Sequence, residues 1–147
     1  LEVEQLSLGI YKVNEEETRV AVEKYLLQAR EYKVTEYIPE EPSITASYSD
    51  MPRSYTGVTS DQTGNLVTRM LDEVERRRKH VERAEKAIGR LGWKQQKLIR
   101  ARYMDEDDAW DYDTANQIGY SERHYRRIKS IAIYRLASTL GLIVLKE

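Results

Sequence analysis

Ser121, Glu122, Arg123, His124, Arg126, Arg127 and Ser130 crowd into one short stretch near the C-terminus. A serine three residues from a histidine raises nucleophilic catalysis, but no activating third group and no strained nucleophile turn accompany the pair, so an enzyme is not expected. The arginines carry a different chemistry. A guanidinium donates bidentately either to a guanine edge or to a phosphate, and three of them beside a single acid, Glu122, form the electrostatic footprint of a polyanion-binding segment. Ser121, followed by the open amides of a helix start, suits a phosphate.

The elements that must position these residues run from Asp113 to Leu140. Asp113 to Ile128 reads as a helix-turn-helix. Ala115 gives room for a close helix crossing, Gly119 stands where the chain leaves helical geometry, and Ser121 caps the second helix. On that helix Tyr125, Ile128, Ala132, Leu136 and Leu140 share one face and are expected to pack inward. Arg123, Arg127, Ser130 and Tyr134 lie opposite at 100° per residue, with Arg126 at the edge of the stripe and Glu122 placed to pair with it at i,i+4. The expected DNA-binding set is therefore Ser121, Glu122, Arg123, Arg126, Arg127 and Ser130, entering a major groove by the N-terminal part of the helix. His124, on the flank, is assigned backbone contact at most.

The fold expected is all-α, a long helical arm joined to a C-terminal helix-turn-helix bundle. Residues 1–37 form an N-terminal helical segment. Within it Thr18, Val22, Tyr25, Leu26, Ala29 and Tyr32 keep helical spacing, Asn14 is the cap, and Glu15, Glu16 and Glu17 complement the helix dipole. Residues 38–65 hold all three prolines and no periodicity, and read as a linker or wrapping loop for which Tyr48 and Tyr55, with Tyr37 just before it, supply anchors. Residues 66–91 form a long helix with a coiled-coil-like seam, from Leu66 and Val67 through Met70, Val74, Val81, Ala84 and Ile88 to Leu91, interrupted by Arg77. Its partner is either the N-terminal helix or the same helix of a second subunit, which would make a homodimer. The run Arg76 to Lys79 points all round that helix among Glu73, Glu75, Glu82 and Glu85, and reads as a solvated face. Residues 92–147 form the DNA-binding domain, with Trp93 opening a helix whose Leu98, Ile99 and Tyr103 pack on the helix-turn-helix.

Composition narrows the alternatives. There is no cysteine, and the two histidines, His80 and His124, stand far apart, so neither a disulfide framework nor a usual zinc spacing exists. The acidic loop Asp105 to Asp113 alternates oxygen ligands but has Trp110 and Asn116 where a calcium loop needs glycine and a bidentate glutamate. No metal and no cofactor are expected. The loop is instead assigned a helix-start charge near Asp113 and repulsion of DNA from the wrong side. No run of roughly 18 apolar residues spans a membrane, and the N-terminus lacks a secretory signal, so a cytoplasmic protein is expected. Residues 1–65 hold 12 acidic and 6 basic side chains, residues 66–147 hold 13 and 18, so the second half is the one suited to nucleic acid.

The stretch Leu91 to Leu136, with Leu98-Ile99, Arg102-Tyr103, Ala115, Ile118-Gly119, Ser121, Arg126, Ile128, Ala132 and Leu136, resembles region 4 of sigma-70-type factors. More narrowly, Tyr120-Ser121-Glu122-Arg123-His124-Tyr125-Arg126-Arg127-Ile128-Lys129, followed by Ala132 to Ala137 and Leu140-Gly141, is similar to the ArpU and RinA-like phage regulators. The chain departs from sigma modules at Thr114, where they carry an aliphatic residue, and in its longer acidic loop. It shows no sign of sigma region 2. The resemblance implies a phage transcriptional regulator of late, packaging or lysis genes, with double-stranded DNA and host RNA polymerase as partners. Two alternatives fit the same elements: a phage terminase small subunit, which would form rings, and a polymerase-binding adaptor whose basic helix grips an acidic protein.

Overall fold

The computed structural model describes residues 12–38, 40 and 58–147, and the side chains of all of these except 58–63. Among the described residues the architecture is all-α. The helices are α1 (Glu15–Val34), α2 (Val58–Gly89), α3 (Trp93–Ile99), α4 (Asp111–Ile118) and α5 (Glu122–Leu140), and a wider π-helical turn, Arg100–Met104, continues α3.

The local chemistry at each helix end explains its position. Asn14 accepts a hydrogen bond from the Glu17 amide at 3.1 Å, and Glu15, Glu16 and Glu17 fill the first turn of α1. Gly119 (φ 79°) and Gly141 (φ 72°) end α4 and α5 in the left-handed region, which disfavours any residue with a side chain. Helix α2 begins at Val58, inside the stretch expected to be linker. Residues 58–65 lack apolar periodicity but contain no proline, so nothing in their backbone chemistry stops the helix from extending. The expected anchors Tyr48 and Tyr55 lie outside the described residues. Tyr37 is half-buried beneath the Arg77 guanidinium, 4.8 Å from its ring centre.

The expectation of an appended arm is corrected by the core. Val22, Leu26 and Ala29 of α1 pack in one cluster with Ala84, Ala87, Ile88 and Leu91 of α2, with Leu98, Ile99 and Tyr103, and with Tyr125, Ala132, Leu136 and Leu140 of α5. The N-terminal helix is thus a structural member of the C-terminal module. A chain of this size cannot bury enough apolar surface in five separate helices, so the helices share one interior. The partner of the α2 seam over its C-terminal half is α1 of the same chain. Arg77, which breaks the apolar pattern, lies 5.1 Å over the Tyr32 ring, and His80 stacks on Tyr25 at 3.9 Å. Aromatic faces therefore accept a cation where the periodicity called for an aliphatic side chain. Arg76 and Arg78 are exposed and tied to Glu73, Glu75 and Glu82 along the helix, as a solvated face requires, whereas Arg77, paired with Glu73, is half-buried against the tyrosines.

The two ends of the described chain are tied together. The Asn14 amide donates to the Val144 carbonyl at 2.7 Å and the Lys146 amide to the Lys12 carbonyl at 2.9 Å, while buried Thr18 accepts from the Val144 amide at 3.0 Å. This short antiparallel bridge holds the start of α1 beside the end of α5. Replacing Leu26, fully buried at the centre of the shared core, with Ala is expected to cost about 2–5 kcal/mol. Denaturant unfolding followed by helix content should lose stability in a single transition. Loss confined to an early N-terminal phase would restore the separate-arm reading.

Candidate nucleic-acid interface

Helices α4 and α5 are joined by Gly119, Tyr120 and Ser121. The turn is held by the Tyr120 amide donating to the Ala115 carbonyl at 2.9 Å and by the Ser121 hydroxyl accepting from the His124 amide at 3.2 Å. Ala115 is buried at the crossing, where a larger side chain would push the helices apart. Thr114 is 1% exposed and neighbours the Tyr125 hydroxyl. A polar neighbour is what makes a threonine acceptable at a core position where an aliphatic side chain was expected.

The inward face of α5 contains each expected residue, Tyr125, Ile128, Ala132, Leu136 and Leu140, together with Ile133 and Ala137. Ser121, Glu122, Arg123, Arg126, Arg127 and Ser130 are all exposed, but they divide into two groups. Arg123 and Arg127 have no ion-pair partner among the described residues. Arg126 is paired with Glu122, and Glu122, Arg126 and Ser130, with half-buried Tyr134, line a half-open groove of about 810 Å³ that faces α4 and the first turn of α1. Glu15, Glu16 and Arg19 of α1 form its far wall. Ser130, Arg126 and Tyr134 therefore flank the outward stripe instead of standing in it. The Glu15 and Glu16 carboxylates on the same side make that flank the less attractive one for a phosphate backbone.

One basic residue of this segment is withdrawn from the surface altogether. Lys129 is only 12% exposed and its ammonium lies 2.9 Å from Asp111 Oδ2. Asp111 also accepts from the Tyr125 hydroxyl at 2.7 Å and from Arg102 Nε at 2.9 Å. Glu23 of α1, 3.9 Å from the same ammonium, accepts from the Tyr103 hydroxyl at 2.7 Å and from Arg19 at 2.9 Å. These contacts clamp α5 to α1, α4 and the π-helical turn. Residue 127 lies two positions before 129, about 160° round the helix, so fixing Lys129 inward turns Arg127 outward. Asp107 of the acidic loop is likewise used for structure, pairing with Arg30 at 3.0 Å, and α4 starts at Asp111, with Asp113 also in its first turn.

Burial works to raise the Asp111 carboxyl, but hydrogen bonds from Lys129, Tyr125 and Arg102 outweigh it and hold the group below the ordinary carboxylate value. Burial and the bond to Asp111 push the Tyr125 phenol above its usual value, so it stays a donor across the physiological range. The Asp111 cluster was missed by sequence reasoning, which gave Lys129 no structural role. The available signal was its position, four residues after Tyr125 on the inward stripe, where a lysine requires a carboxylate partner.

Because the folded pKa of Asp111 is depressed, its stabilising contribution is complete above the unfolded value of about 3.9 and is lost as pH falls through the folded pKa. Asp111→Asn is expected to cost roughly 1 kcal/mol at neutral pH, a modest figure because the carboxylate is 48% exposed and screened. Below about pH 4 the variant should lose stability less steeply than the parent. Parallel acid-denaturation slopes for the two proteins would remove Asp111 as the acid-sensitive contact.

No protein-family model, no curated protein and no solved structure matches this chain, so its function is argued from its own residues.

Proposed function

We propose that this chain is a phage-encoded, sequence-specific DNA-binding transcriptional regulator that inserts the N-terminal half of α5 into the major groove. The observation that carries the reading is the exposed pair Arg123 and Arg127, one turn apart on the first two turns of a long helix and without carboxylate partners among the described residues. An arginine already held by a carboxylate gives up that bond as well as its water to reach a base, whereas an uncompensated one gives up only its water. In this reading Arg123 and Arg127 donate to guanine edges or clamp phosphate, and Ser121 with the first amides of α5 receives a phosphate. Arg126, held by Glu122, contributes less or exchanges its partner on binding. Ser130 contacts the backbone from the flank.

The resemblance of Tyr120 to Lys129 to the ArpU and RinA-like regulators, and of the wider stretch to sigma region 4, supports late-gene control and contact with host RNA polymerase. A cytoplasmic site of action follows from that role. No helix among the described residues is long and apolar enough to cross a membrane.

Selection of bound duplexes from a random pool should return one recurrent site. At fixed salt Arg127→Ala and Arg123→Ala should each weaken binding to that site by about 1–3 kcal/mol and relax preference at the contacted base. Arg126→Ala should cost less. Unchanged affinity for both Arg123→Ala and Arg127→Ala would reject α5 as the reading helix.

A further inference from the structure

Two exposed tryptophans stand on separate surfaces, Trp93 at the start of the rod formed by α3 and the π-helical turn, among basic residues, and Trp110 beyond its far end, in a groove whose rim is mainly acidic. At the N-terminal end Trp93 is 70% exposed, with Arg90, Lys94 and Lys97 exposed about it. The Lys94 ammonium lies 5.6 Å from the Trp93 ring, and none of the three cations has a carboxylate partner among the described residues. At the far end the loop after Met104 closes a groove of about 560 Å³ against α1. Its apolar wall is Leu27, 50% exposed, and Trp110, 68% exposed. Glu31, Glu106, Asp107 and Asp108 form the rim. Arg30 neutralises Asp107 and Arg102 is held by Asp111, which leaves Glu31, Glu106 and Asp108 without a cationic partner among the described residues.

An aromatic anchor inside a rim of charge is the composition of a protein interface, and tryptophan is the residue whose burial contributes most there. The rod covers residues 93–104, roughly 16 Å along its axis by helical rise, and Trp93 does not line the groove that holds Trp110, so the two rings belong to separate surfaces. A second copy displaced along that axis brings its basic Trp93 end to the acidic groove, matching an apolar ring to an apolar wall and cations to anions.

We propose that the protein self-associates head to tail, the Trp93 end of one copy seating in the Leu27–Trp110 groove of the next. The contact is heterologous, so assembly continues into a chain or closes into a ring and does not stop at a dimer. The anchors are few compared with the ~800 Å² per partner of a stable complex, which makes the association weak and strongest at low salt. Neither surface contains Arg123 or Arg127, although Lys97 lies 5.9 Å from the ring of Tyr120 in the turn before α5, and a closed ring would favour the terminase alternative over the regulator.

Sedimentation velocity over a concentration series at low salt provides the test. The weight-average mass of the parent protein should rise with concentration, and less so as salt is added. Lys94→Glu/Lys97→Glu and Glu31→Lys/Glu106→Lys should each remain monomeric alone, with helix content unchanged by circular dichroism. Mixed in equal amounts they should associate again, because each presents the charge that the other has lost. Such recovery cannot arise from two misfolded proteins. A parent that stays monomeric, variants that associate as the parent does, or a mixture that fails to recover would each overturn the proposal. So would a Lys94→Glu/Lys97→Glu protein that loses affinity for duplex DNA while self-associating normally, since the basic patch would then belong to nucleic acid.

Discussion

The orientation of α5 depends on its buried apolar face and on one ion pair at the edge of that face, the Lys129 ammonium against the Asp111 carboxylate. Seven buried side chains from Tyr125 to Leu140 decide which face turns inward, because a close-packed interior does not let a helix roll freely. The ion pair adds a directional constraint to that packing. Lys129, mostly withdrawn from water, stays within reach of its carboxylate, since separating the two costs stability, modestly because Asp111 is half-exposed. Asp111 is in turn shared with Tyr125 and Arg102, which ties α5 to α4 and to the π-helical turn. Glu23 extends the same cluster to α1. The outward direction of Arg127 is the geometric complement of that inward lysine.

Electrostatics also sorts the remaining basic side chains. Of the cations between Tyr120 and Arg135, Lys129 is held by Asp111, Arg126 by Glu122, and Arg135 donates to Gln95 at 3.2 Å. Arg135 keeps its charge, since Gln95 is neutral, and Arg123 and Arg127 are the ones left without any side-chain partner among the described residues on the first two turns. A surface that displayed all these charges equally would bind any polyanion, whereas two uncompensated guanidinium groups on one stripe present a narrow and oriented contact. The carboxylates on the α1 side of the groove act in the same direction by disfavouring approach along that flank. The acidic loop contributes to the fold, through Arg30 and Asp107, more directly than to repulsion of DNA.

Much of this was legible from local pattern. The cap at Asn14, the left-handed stop at Gly119, the Ser121 cap and the inward series Tyr125, Ile128, Ala132, Leu136 and Leu140 all follow from short-range stereochemistry and a period of 3.6 residues. The start of α2 was not legible, because a polar helix without periodicity differs from a loop only in what it avoids, and residues 58–65 contain no proline. The inclusion of α1 in the common core was not legible either. Its apolar stripe states that it packs, and is silent on what it packs against. Thr114 looked ill-suited to a core because its neighbour, the Tyr125 hydroxyl, is eleven positions away in sequence and adjacent only after the turn at Gly119.

By itself the sequence determined the helices, their ends, the buried face of α5 and the concentration of arginine on its first two turns. These are properties of residues a few positions apart, governed by backbone dihedrals and helical period. The tertiary structure decided which of the cations are uncompensated, how α5 is rolled, and that the chain before α1 and the tail after Gly141 close on each other. The physical reason is that ion pairs and backbone bonds between distant segments depend on where those segments pack, and packing is a property of the assembled interior that no local period contains.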